Sequence, residues 1–192
     1  MRADAWISNV AETWREPLVV RETPAEYVVH RPRLYLETTI PSYLTARVSR
    51  NLSVARHQKI THDWWNSWRT NFAIHVSEDV YKEVRAGNPE AANLRLELIR
   101  PFPILRPNER SEKLAARLVA ACRLPDRVAA DAAHVAVAAV HSMQFLLTWN
   151  CAHLANPQLA PKMAIACESE GFSCPTLCTP EHLLARYEHE RA

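Results

Sequence analysis

Leu34-Tyr35-Leu36-Glu37-Thr38-Thr39-Ile40-Pro41 is the stretch on which the fold turns. Its first half, led by Arg33, reads as a short apolar strand. Its second half turns the chain into a helix. Between them stands Glu37, an acid at the point where an apolar strand stops. Packing gives no reason for it, because carboxylates are seldom buried without a partner. In open parallel sheets, ligands bind beyond the carboxyl ends of the strands, so a site belongs here. Taken alone, Glu37 also reads as a helix cap or as half of a surface salt bridge.

Three further stretches set an oxygen-bearing side chain at the edge of a regular element. Ser77-Glu78-Asp79-Val80-Tyr81-Lys82-Glu83 has Ser77 as an N-cap, acids in the first helical turn and Glu83 mid-helix. Ala129-Ala130-Asp131-Ala132-Ala133-His134 puts Asp131 in an alanine- and valine-rich helix that reads as buried. An aspartate there needs an arginine, a cap or a metal, and Asp126 fills the capping role better. Leu146-Leu147-Thr148-Trp149-Asn150 ends a strand on Asn150, whose amide oxygen can ligate or position a water; it also reads as a turn residue. Several carboxylates converging on one point repel each other unless a hard cation such as Mg²⁺ or Mn²⁺ sits between them.

Between these stretches, short apolar runs alternate with helical periodicity. Strands are expected at Arg33–Leu36, Ile74–Val76, Pro103–Leu105, Phe145–Thr148 and Thr176–Cys178. Helices are expected at Arg50–Phe72, from Ser77 to Gly87, from Asn88-Pro89 onward, at Glu109–Cys122, from Asp126 to about His141, at Pro161–Glu170, and after Thr179-Pro180-Glu181. Strands alternating with helices imply a parallel sheet covered on both faces. Residues 32–192 form the expected domain. Residues 1–31 are polar and irregular, an N-terminal extension of unknown role.

The composition excludes several classes. The chain of 192 residues has two glycines, Gly87 and Gly171. A phosphate-binding P-loop and a dinucleotide-binding G-x-G-x-x-G loop both need more, close together. There is no G-x-S-x-G elbow, and no apolar run of about 18 residues that would span a membrane. A net charge of +2 does not announce nucleic-acid binding, so any basic patch is local. The five cysteines read as reduced thiols of a cytoplasmic protein. Cys174-x3-Cys178 lacks a matching Cys or His pair at zinc-finger spacing. Trp64, Trp65 and Trp68 read as core or as a partner surface. His134, His141 and His153 read as satisfied histidines in preference to ligands.

In their order along the chain, the four stretches resemble the PIN-domain family of metal-dependent ribonucleases, and its VapC-like toxin branch in particular. The resemblance covers about Arg33 to Leu184 and includes Ser42-Tyr43-Leu44-Thr45 after the first motif and Val135-Ala136 after the third. It implies a three-layer α/β/α fold around a central parallel sheet of about five strands. It implies an endoribonuclease that cleaves RNA, with Glu37, Glu83, Asp131 and Asn150 as the catalytic set. Of these, Glu37, Glu83 and Asp131 would bind Mg²⁺ or Mn²⁺, with Thr38 or Thr148 supplying a supporting hydroxyl. Arg47, Arg50 and Arg56, beside the first motif, are candidate RNA contacts. The expected partners are an RNA substrate, a small antitoxin protein and a second copy of the chain. The family's first acid is usually aspartate and its fourth position often is, where this chain has Glu37 and Asn150. A second reading is therefore a non-catalytic PIN-like module that binds RNA or protein.

Overall fold

Leu34, Tyr35 and Leu36 are all fully buried. Three consecutive buried residues mark a strand covered on both faces, where the usual in–out alternation disappears. In the computed structural model, which describes residues 31–125 and 128–189, this strand is β1 (Arg33–Leu36), the centre of a five-stranded sheet. The others are β2 (Ala73–Ser77), β3 (Ile104–Leu105), β4 (Phe145–Leu147) and β5 (Thr176–Cys178), in the order β3-β2-β1-β4-β5. All pairings are parallel; Tyr35 aligns with His75 on one side and with Leu146 on the other. The strand order reverses direction between β1 and β4, and Glu37 and Thr148 follow those two strands directly. That crevice is where ligands bind in such sheets.

Eight α-helices among the described residues flank the sheet: α1 (Thr39–Thr45), α2 (Leu52–Ser67), α3 (Glu78–Val84), α4 (Pro89–Ile99), α5 (Glu109–Cys122), α6 (Ala129–Val140), α7 (Ala160–Ser169) and α8 (Pro180–His189). Helix α5 packs on α6 and α7, while α1 packs on α2 and α4, α2 on α8, and α3 on α4. The core joins both layers through the buried strands, each fully buried Leu contributing about 1.5–3 kcal/mol.

Local signals set the helix starts. Asn51 Oδ1 accepts from the backbone of Ser53 and Val54, Ser77 Oγ from Val80, and Asn88 Oδ1 from Glu90 and Ala91, with Pro89 in the first turn. Thr179 Oγ1 accepts from His182. Gly87 and Gly171 both have positive φ, 87° and 80°, after α3 and α7 respectively, a backbone that glycine adopts without a Cβ penalty. The helix expected over Arg50–Phe72 ends at Ser67 and gives way to a 3₁₀ turn at Arg69–Asn71. Strand β4 stops at Leu147 and frees Thr148, whose hydroxyl turns to the site. The N-terminal extension and the Asp126 cap lie outside the described residues, save Arg31. Helix α6 starts after Val128 without a side-chain cap. Among the described residues no helix is long and apolar enough to cross a membrane.

Candidate metal centre

Glu37 is 5% exposed at the carboxyl end of β1, where its own N–H donates to Leu147 O at 3.1 Å. The chain turns at Thr38, so Thr39 folds back on the same carboxylate. Glu37 Oε2 accepts from Thr39 N at 3.0 Å, Thr39 Oγ1 at 2.5 Å and Thr148 Oγ1 at 2.8 Å. Three donors on one oxygen hold the carboxylate in one orientation and leave Oε1 for another partner.

Glu83 reaches the same place from α3. Ser77 caps that helix and sets its angle, and Glu83 Oε2 accepts from Thr38 Oγ1. Its other oxygen lies 3.2 Å from His134 Nε2. Oxygen or nitrogen atoms of Glu37, Glu83 and His134 all lie within 4.8 Å of one another. Among the described residues, neither glutamate is paired with a lysine or arginine. By contrast, Asp79 pairs with Lys82 and Glu78 with Arg106 on the surface.

His134 is 2% exposed and sits between Glu83 and the Tyr35 hydroxyl, 2.6 Å from its Nδ1; Tyr35 Oη in turn lies 2.7 Å from Ser77 Oγ. Burial opposes ionisation of both Glu83 and His134, yet their mutual hydrogen bond and attraction outweigh it. Glu83 is held below its ordinary value and His134 above. Burial, with the charges of Glu37, Asp79 and Glu83, pushes Tyr35 well up, against its bond to Ser77. Tyr35 therefore stays a neutral hydroxyl. With both ring nitrogens engaged, His134 orients Glu83 in the protein as it stands.

Asp131 and Asn150 meet each other one step away. Asn150 Nδ2 donates to Asp131 Oδ1 at 3.0 Å, Asn150 N donates to Thr148 Oγ1 at 2.9 Å, and Thr148 Oγ1 donates to Glu37. A continuous hydrogen-bonded path thus runs from Asp131 to Glu37. His153 N donates to Asn150 Oδ1, and His153 Nδ1 approaches Asp131 Oδ2 at 2.9 Å. That approach is an ion-pair contact without hydrogen-bond angles, so among the described residues the buried Asp131 Oδ2 accepts no hydrogen bond. Such an oxygen is costly unless something binds it.

The sequence residues therefore fall into two linked groups. Glu37 and Glu83 share one point with Thr38 and Thr148; Asp131 and Asn150 face each other and His153. Among the arginines, Arg56 is held by Glu181 at 2.5 Å, while Arg47 and Arg50 are exposed. His134 is the satisfied buried histidine that the sequence suggests, and its place one turn after Asp131 is the signal for a residue that orients a ligand. Thr39 is the contributor the sequence reading misses, with no signal beyond adjoining Thr38, because its role depends on the turn.

The donors present suit a hard divalent cation: among the described residues, Glu37 and Glu83 meet with no lysine or arginine beside them, and the buried Asp131 Oδ2 accepts no hydrogen bond. The Cys174–Cys178 spacing gathers no comparable group among the described residues. One chain of the crystal structure of VapBC2 from Rickettsia felis, bound to a DNA fragment from their promoter, is similar to this chain. The TM-score is 0.47 and the identity 15%, over 65% of this chain and 92% of that one. No family model and no curated protein matches the sequence.

Proposed function

We propose that the chain is a Mg²⁺- or Mn²⁺-dependent endoribonuclease. One observation carries the reading: Glu37 and Glu83, from different elements, converge within 4.8 Å at the sheet's switch point with no lysine or arginine between them. Glu37 and Glu83 would hold the ion, with Asp131 joined to them through Asn150 and Thr148. When bound, it supplies a water of lowered pKa and neutralises charge on the leaving oxygen. The chain's own residues do the rest. Thr38, Thr39 and Thr148 fix the carboxylates by donating to them. His134 orients Glu83, and Asn150 anchors Asp131. Arg47 and Arg50 contact phosphates in a salt-sensitive way. No nucleophilic side chain is required.

The motif resemblance extends the reading to a toxin of a toxin–antitoxin pair, neutralised by a small antitoxin and active as a homodimer. One observation favours the non-catalytic alternative, a PIN-like binding module: Asn150 spends its amide on Asp131 and adds no negative charge.

The test is calorimetric titration of Mn²⁺ and Mg²⁺ into the wild type, Glu83→Gln and Asp131→Asn, with cleavage of single-stranded RNA followed on the same samples. Binding and cleavage by the wild type, both lost in the variants while the fold persists, is the expected result. Wild-type protein that binds neither ion refutes the enzyme and leaves the binding module. Asp131→Asn cleaving at the wild-type rate refutes the assignment of Asp131.

A further inference from the structure

The acidic cluster explains the threonines and His134, but not the aromatic stack beside it. The His57 ring on α2 lies over the Trp149 indole, centroids 4.0 Å apart and planes 13° from parallel. Tyr43 is 6.2 Å from each of those rings. A ring equally distant from both members of a stack flanks it and covers neither outer face. Trp149 is the floor. It is 7% exposed, and its Nε1 donates to Thr61 Oγ1 at 2.7 Å. Its backbone N–H donates to Thr39 Oγ1 at 2.8 Å, the same hydroxyl that donates to Glu37. His57 is the half-buried upper ring. One helix position on, Gln58 accepts from Ser49 N and donates to Arg47 O, tying the loop that carries Arg47 and Arg50 to α2.

We propose that the outward face of His57, flanked by Tyr43, is a stacking subsite for one nucleobase of a single-stranded RNA whose phosphodiester lies at Glu37 and Glu83. The inference rests on the nuclease reading and names how that site holds its substrate. The shape fits: a partly exposed flat ring stacked on Trp149, whose backbone N–H donates to the Thr39 hydroxyl of the acidic centre, with exposed arginines on the adjoining loop. Every base has a π-face, so the subsite is tolerant of sequence. It positions one nucleotide beside the ion instead of reading its identity.

The test uses the full-length protein and a fluorescein-labelled ten-nucleotide RNA, measured by anisotropy in EDTA so that nothing is cleaved. His57→Ala is expected to bind about 5- to 150-fold more weakly, the worth of one base–aromatic stack, and His57→Phe to keep wild-type affinity. A series of RNAs with one abasic position walked along the strand adds the decisive readout. One position should cost the wild type that same factor and cost His57→Ala nothing. Circular dichroism verifies that His57→Ala is folded, and the RNA series on the wild type answers the question if it is not. Equal affinity of His57→Ala and wild type, or no privileged abasic position, overturns the subsite. So does a wild type that binds no RNA. A wild type that shows the privileged position yet never cleaves with Mg²⁺ or Mn²⁺ upholds the subsite and sinks the nuclease reading. A wild type that cleaves while the His57 variants bind alike does the reverse.

Discussion

Thr39→Val is the sharpest probe of how the centre is held. Valine matches threonine in shape, so the change removes a hydroxyl and little volume. That hydroxyl makes two bonds, a 2.5 Å donation to Glu37 Oε2 and a 2.8 Å acceptance from Trp149 N. A hydrogen bond to a charged acceptor contributes about 1.5–3 kcal/mol, and a buried N–H left without a partner costs about 1–3 kcal/mol. Glu37 keeps its bonds from Thr39 N and Thr148 Oγ1, which softens the first loss. The net expectation is a loss of about 3 kcal/mol in unfolding free energy, or about 6–12 °C in Tm for a chain of this size. Urea denaturation in EDTA measures it free of stabilisation by metal binding. Thr45→Val is the control: its hydroxyl makes a single local bond to Pro41 O at 2.8 Å, so a loss of about 1 kcal/mol or less is expected. If Thr39→Val falls within about 0.5 kcal/mol of the wild type, the range of an ordinary surface change, the hydroxyl does not hold the site and the argument for a built centre fails.

Two other perturbations test the fold and the charge pair. Trp64 is fully buried, yet among the described residues its indole N–H has no hydrogen-bond partner. Trp64→Phe sheds that unpaired group as it loses area and should cost at most about 1.5 kcal/mol, against about 3–5 kcal/mol for Trp64→Ala; equal losses in urea melts would show that the N–H carries no penalty. The His134–Glu83 pair predicts a stability maximum. His134, raised above its ordinary 6.5, contributes fully below pH 6.5, and the contribution is lost as pH rises through its native value. Glu83, lowered from 4.5, contributes fully above pH 4.5 and loses that contribution as pH falls through its native value. The pair therefore stabilises most between pH 4.5 and 6.5. In EDTA, His134→Gln should flatten the decline seen on the alkaline side; an unchanged slope means that the pair is not its source.

Much of this protein is legible one residue at a time. The apolar run Leu34–Leu36, the Ser77, Asn88 and Thr179 caps and the two glycines after helices are local events. They depend on backbone sterics and on hydrogen bonds spanning three or four residues, so the element order and the parallel α/β class follow from sequence. Glu37 at a strand end was legible too, since position at the carboxyl edge of a parallel sheet follows from the alternation of elements. What only the tertiary structure decided is which groups share a point. Glu83 joins Glu37 across 46 positions of sequence through Thr38, and His134 joins Glu83 through a 51-residue separation. Asp131 turns instead to Asn150 and His153. Side-chain convergence depends on helix angle and register, which the packing of every layer sets at once. A buried histidine has the same sequence signature whether it fills space or, like His134, holds a carboxylate.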